Sequence, residues 1–349
     1  MERETYLVLR VTETRRGAGL ESLQQYDWRL STPAKAVAEV DYQVEAQALD
    51  AQDYQEARQN PQVAAVARPM PLRLIEPVAT AGDPSSNPTD HIHGATWGVY
   101  VTGALQSRYV GYGVTVAVLD TGIDAGHEAF QDVDLIQKDF TGEGNGDQHG
   151  HGTHVAGTIF GRTVQGLRYG LAPGVPRALI GKVLGTGRTA TTTELADAIQ
   201  WAVDQGAHVI NMSLGFDFPG LVKWWVDDQG MEADLATSKA LAQYRDNLRL
   251  FDKLVELLRA RAAHAHSALI VAAAGNESRR HIRPDYAIEV APPAAAEGIV
   301  AVAALGTTGP PHEALSVAPF SNIHATVAAP GVEVYSARMG GGYTRMSGT

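Results

Sequence analysis

The chain has 349 residues, 44% of them apolar and 19% charged, with 36 glycines and no cysteine. That balance fits a globular protein with room for one large domain and a smaller one, and it excludes a disulfide framework, a thiolate metal site and a thiol nucleophile. The net charge is −11 and no lysine- and arginine-rich run is long enough to follow a phosphate backbone, which argues against a nucleic-acid partner.

Met1 to Glu4 do not form a basic region leading into an apolar stretch, so no signal peptide is read there and the expected location is cytoplasmic. No uninterrupted apolar run approaches the ~18 residues that span a bilayer, and no membrane partner is expected. Residues 5–12 (TYLVLRVT) and 43–48 have strand composition. Residues 50–60 read as a short helix closed by Pro61, and residues 63–75 as a further extended stretch. Together they predict a small α+β domain over residues 1–80. The turn-rich tract 81–90 (AGDPSSNPTD) opens a linker, residues 81–94, to a large domain over 95–349.

In the large domain, short wholly apolar strands are predicted at 114–119, 178–184, 208–212, 269–274 and 299–304, alternating with helical segments. Strands apolar on both faces belong to a mainly parallel sheet with helices on each side, an α/β fold. Thr191 and Glu194 have capping-box spacing, Leu195, Ile199, Ala202 and Val203 make an apolar stripe, and Gly206 suits the stop. A long helix is predicted from about Leu235 to His266, with Leu241, Tyr244, Leu248, Phe251, Val255 and Leu258 at three- and four-residue steps and packed on the sheet.

Three motifs carry the chemistry. Residues 116–124 (VAVLDTGID) are an apolar strand that delivers Asp120 into a glycine turn, at the sheet edge where catalytic groups gather; the residue types also suit a plain turn. Residues 149–158 (HGHGTHVAGT) hold three histidines. Their spacing lacks the intervening carboxylate of helical zinc motifs, so no metal is assigned. Residues 269–277 (LIVAAAGNE) are a buried strand ending at Asn276, a turn former whose amide can also serve as an oxyanion donor.

In this order the motifs resemble the subtilisin-like (subtilase) serine proteases. Further matches lie at Trp97 to Val99, Gly170 to Gly174, Lys182 to Gly185, Asn211 to Gly215, Phe320 to Asn322, Ala329 to Gly331 and Met346 to Thr349. The resemblance implies a serine endopeptidase acting through an acyl-enzyme on polypeptides. Asp120 would be the triad carboxylate, His151 the general base and Asn276 the oxyanion donor. It also implies that Ser213, Leu214 and Gly215, with Ala273, Ala274 and Gly275, line the pocket for the residue before the scissile bond. Leu184, Gly185 and Gly187 would offer an edge strand to the substrate.

The family keeps its nucleophilic serine directly after the Ser-Gly-Thr of residues 347–349. Ser347 matches a serine that the family does not use for attack, so these 349 residues are not expected to complete a triad alone. The resemblance carries no cofactor, and the loop 161–170 lacks the asparagine and acidic ligands that would support calcium. Trp224 and Trp225, in a stretch longer than in compact family members, are expected to pack that insert. The N-terminal domain, around Tyr54 to Val66, loosely resembles the family's inhibitory propeptide; it would block the cleft and be cut away between about Ala79 and Thr96. The competing reading is a non-catalytic pseudoprotease or regulatory binding protein.

Overall fold

The computed structural model describes residues 3–14, 39–79, 92–187, 189–262, 268–308 and 314–349, so the predicted linker tract 81–90 lies outside the described residues. The chain opens with β1 (Glu4–Thr14), β2 (Glu39–Leu49), α1 (Ala51–Gln59), β3 (Val63–Ala67) and β4 (Pro71–Leu74). It continues with α2 (Trp97–Val101), β5 (Thr115–Asp120), β6 (Asp134–Asp139), α3 (His151–Phe160), β7 (Arg177–Lys182), β8 (Thr189–Thr191), α4 (Thr192–Asp204), β9 (Val209–Met212) and β10 (Leu214–Phe216). Then come α5 (Phe218–Asp227), α6 (Ala233–Ala262), β11 (Leu269–Ala273), β12 (Val300–Thr308), β13 (Ala314–Val317), β14 (Val327–Pro330), β15 (Val334–Ala337) and β16 (Tyr343–Met346).

The central sheet runs β13-β12-β11-β9-β5-β7-β6, with β14 also on β12, and every pair is parallel except β12 with β13. This is the predicted mainly parallel α/β architecture. Successive side chains of a strand point to opposite faces. Val116 and Val118 of β5 accordingly pack with Ala156 and Phe160 of α3, while Ala117 and Leu119 pack with Leu195 and Ile199 of α4. The edge strand β6 (DLIQKD) escapes sequence reading because its exposed side is polar and it has no continuous apolar run.

The helix α4 starts and stops for local reasons. In α4 the Thr191 side chain accepts the Thr193 N–H, Glu194 accepts the Thr191 N–H at 2.8 Å, and Gly206 beyond the end has φ +80°. In α6, Phe251, Val255 and Leu258 are buried as predicted, joined by Leu250 and Leu254, but Leu241 is 47% exposed and Ala240 takes its place inside. The predicted continuation of this helix to His266 lies outside the described residues. Trp225 packs against the core with its ring 4.7 Å from that of Trp224, which stays largely exposed.

The N-terminal module is a three-stranded antiparallel sheet, β2-β1-β3, with α1. Alternation along β1 joins it to the rest: Tyr6 and Val8 pack with Leu49, Val66 and Tyr54 of the module itself. Leu7 and Leu9 enter the large core with Leu195 of α4 and Leu250 and Leu254 of α6. Two α6 amides secure the exit from β3, Asn247 donating to the Arg68 carbonyl at 2.7 Å and Gln243 to that of Pro69. These contacts aim β4 at the C-terminal rim of the central sheet.

Candidate active site

Asp120 is the last residue of β5 and is wholly buried, and His151 opens α3 on the same rim. His151 Nδ1 lies 2.8 Å and 3.0 Å from the two Asp120 carboxylate oxygens. With Nδ1–H donated to Asp120, the other ring nitrogen, Nε2, is left as a base toward the cleft. Burial disfavours the imidazolium, but the charge and hydrogen bond of Asp120, helped by Asp147 and Glu76, outweigh it and raise the His151 pKa. This pair therefore adds stability below the unfolded value of 6.5 and loses it as pH rises through the folded pKa.

Asp147 sets where α3 begins. One carboxylate oxygen accepts the N–H groups of His149 (2.9 Å) and Gly150 (2.8 Å) and the Thr121 hydroxyl (3.0 Å). The other accepts the N–H (2.9 Å) and hydroxyl (2.6 Å) of Thr153. Burial opposes its ionisation, yet these hydrogen bonds prevail and its pKa is lowered. The free N–H groups of a helix start thus find an anion that also grips the turn after Asp120. The approach is close: a Cβ on Gly152 would lie 2.2 Å from the Gly122 carbonyl oxygen. Sequence reading passed over Asp147; an Asp four residues ahead of a helix-opening His, with Thr153 behind it, was the available signal.

The three histidines of the motif turn to three different partners. His149 Nε2 is 3.8 Å from the Glu76 carboxylate, and His151 faces Asp120. His154 Nε2–H points to the carbonyls of Val334 (3.0 Å) and Thr344 (3.2 Å). Among the described residues no group of three or more His, Cys, Asp and Glu could hold a metal ion. Burial, then the neighbouring His151, lowers the His154 pKa from 6.5 to about 4. The unfolded chain therefore binds the extra proton between those values. Acidification from pH 6.5 to 4 is expected to cost up to roughly 3 kcal/mol through His154. A His154→Gln variant followed by thermal unfolding against pH should show a flatter acid limb; an unchanged limb would refute this assignment.

Asn276 follows β11 through Gly275, whose φ is +115° and whose added Cβ would lie 2.3 Å from the Asn322 amide nitrogen. Asn322 holds this turn, its carbonyl oxygen accepting the N–H groups of Glu277 (3.2 Å) and Ser278 (3.1 Å). The Asn276 carbonyl oxygen accepts the Thr349 N–H at 3.0 Å, and its amide donates to the Glu76 carbonyl at 2.8 Å. Thr349, His151, Ser213 and Pro77 line one cleft of about 180 Å³. The Ser347 hydroxyl is buried and accepts the Glu333 N–H at 2.8 Å.

The cleft holds a piece of the chain itself. β4 lies between β8 and β10, antiparallel to both, pairing Leu72 with Ala190 and Phe216, and Arg73 with Thr189 and Gly215. Ile75 N–H then donates to the Ser213 carbonyl at 3.1 Å, and Val78 N–H to that of Ser347 at 2.7 Å. The segment Ser213, Leu214, Gly215 thus pairs with an extended peptide, which is part of the chain itself. The other wall needs a correction: Leu184, Gly185 and Gly187 supply no edge strand, which lies further on at Thr189–Thr191. The cause is Glu143, whose carboxylate accepts the Thr186 N–H at 3.0 Å and would sit 2.5 Å from a Cβ on Gly185, tying that segment to a neighbouring loop. Ala273 borders a second cavity, of about 350 Å³, with Ala272 and Thr349; Ala274 is buried behind it.

The subtilase family model matches residues 111–349. The chain belongs to the subtilase family. This subtilase is 32% identical to subtilisin DY of Bacillus licheniformis over 244 residues, 69% of this chain and 73% of that protein. It is 30% identical over 256 residues to a thermostable alkaline protease of Halalkalibacterium halodurans, covering 72% of this chain but 58% of that one. The protease domain of PatA, solved as a serine-to-alanine mutant, matches at 30% identity and a TM-score of 0.48, over 69% of this chain and 75% of its own. As a subtilase the chain belongs among serine peptidases, whose substrates are polypeptides. No described helix is long and apolar enough to cross a membrane.

Proposed function

We propose that this chain supplies the acid-base pair and oxyanion donor of a serine endopeptidase, and that the attacking serine follows Thr349 in the full-length protein. The observation that carries this reading is the Asp120–His151 hydrogen bond at the rim where Asn276 meets Thr349. A serine hydroxyl attacks a peptide carbonyl only when a base removes its proton. His151 takes that proton on Nε2, Asp120 fixes the tautomer and stabilises the resulting cation, and the proton then passes to the leaving amine. The Asn276 amide stabilises the oxyanion of the tetrahedral intermediate. Water repeats the attack to release the acyl group.

In this reading the N-terminal module is an intramolecular inhibitor. Its support is that residues 71–78 fill the cleft in the extended, ladder-paired form that a substrate would take. The carbonyl beside the Asn276 amide belongs to Glu76, upstream of the expected maturation window between Ala79 and Thr96; residues 80–91 of that window lie outside the described residues.

The test is a fluorophosphonate probe on the full-length protein. Labelling that rises when the N-terminal module is removed by limited proteolysis is the expected result. A folded full-length protein that takes no label before or after removal turns the reading into that of a binding protein with an intact cleft.

A further inference from the structure

Arg73 is the one charged side chain on the segment Pro71–Ile75, between residues that vanish into the core: Leu72 is 0%, Leu74 2% and Ile75 5% exposed. It leaves the ladder sideways toward two carboxylates. One guanidinium nitrogen lies 3.5 Å from Asp217 Oδ1 and the other 3.5 Å from Glu277 Oε1. The acids come from two separate segments, Asp217 directly after β10 and Glu277 directly after Asn276.

Neither carboxylate depends on Arg73 for its position. Asp217 caps α5 by accepting the Gly220 N–H at 3.1 Å, and Glu277 Oε2 accepts the Asn322 amide at 2.7 Å. A carboxylate has about four acceptor sites, so each keeps capacity for a further donor. Two anions already fixed beside one peptide position lower the ordering cost of binding a cation there and repel an anion.

We propose that Asp217 and Glu277 form a specificity subsite for a basic side chain, at the peptide position two residues before the one whose N–H bonds Ser213. The proposal rests on the reading that substrates follow the path of residues 71–75. It defines the substrate class as peptides with an apolar, basic, apolar, apolar pattern, as in Leu72-Arg73-Leu74-Ile75. The three side chains are 42%, 26% and 35% exposed, so water weakens both pairs. Together they favour Arg over Ala by roughly tenfold, and Arg over Glu by more.

The experiment takes the full-length protein after limited proteolysis has removed the N-terminal module and compares its kcat/KM for three quenched fluorogenic peptides built on PLRLIE, with Arg, Ala or Glu at the third residue. The ratio within each variant is the readout, so a loss of folded protein cancels. An Arg:Ala ratio near ten that falls toward one in the Asp217→Asn, Glu277→Gln double variant supports the subsite; Asn at 217 can still cap the helix. Glu277→Arg should turn the preference toward the Glu peptide, which a damaged fold would not do. Equal kcat/KM for all three peptides overturns the subsite and leaves the peptidase reading standing. Cleavage of none of them overturns that reading and the subsite with it.

Discussion

Replacing Asp120 by Asn is expected to lower kcat of the full-length protein on the order of 10⁴-fold, the size known for the same exchange in other triad proteases. Asn has nearly the shape of Asp and fits the same buried place, but its amide can donate where the carboxylate only accepts. The His151 ring would then hold its proton on Nε2, where it cannot accept one from the nucleophile. A second signature follows from electrostatics. Burial lowers the His151 pKa, and the carboxylates, Asp120 first among them, raise it. His151 works as a base when neutral, so activity should climb as pH rises through a value above 6.5. Without the Asp120 charge, that acid limb should move to lower pH. A variant that keeps its rate, or loses it with no change in pH profile, would falsify the assignment of Asp120.

Asn276→Ala is expected to reduce kcat on the order of 10²- to 10³-fold, the magnitude known from subtilisin, a relative of this chain. The oxygen it serves bears a full charge only in the tetrahedral intermediate, so kcat should fall with KM nearly unchanged. The structure adds a competing possibility to test, because the same amide also binds the Glu76 carbonyl. If the residue only grips peptide backbone, KM rises and kcat holds. Separate determination of the two constants on the Asn276→Ala protein decides between these roles.

The site was legible to the extent that its chemistry is local in sequence. A strand ending in Asp120, a glycine-rich turn into His151 and a strand ending at Asn276 each signal a side chain at the carboxyl end of a strand or the start of a helix. Parallel pairing of β5 and β11 with β9 then brings those ends together. Asp147 was not legible in this way, because its five hydrogen bonds come from residues on both sides of the His151 turn. The peptide-binding edge strand was placed too early for a similar reason. Residues 184–187 have plausible composition, but Glu143, 43 positions upstream of Thr186, ties them to another loop.

Composition, apolar periodicity and motif order by themselves determined the α/β class, the mainly parallel sheet and which polar residues end its strands and open its helix. These depend on short-range constraints: which faces a strand or helix must bury, and which residue types can move a proton or hold an oxyanion. Tertiary structure alone decided what occupies the cleft, which wall supplies its second strand, and that Asp217 and Glu277 meet at Arg73. Those outcomes depend on contacts between segments far apart in the chain. Nothing in the local pattern of β4 records that its partners are β8 and β10, since any exposed strand edge offers the same backbone hydrogen bonds and only packing selects among them.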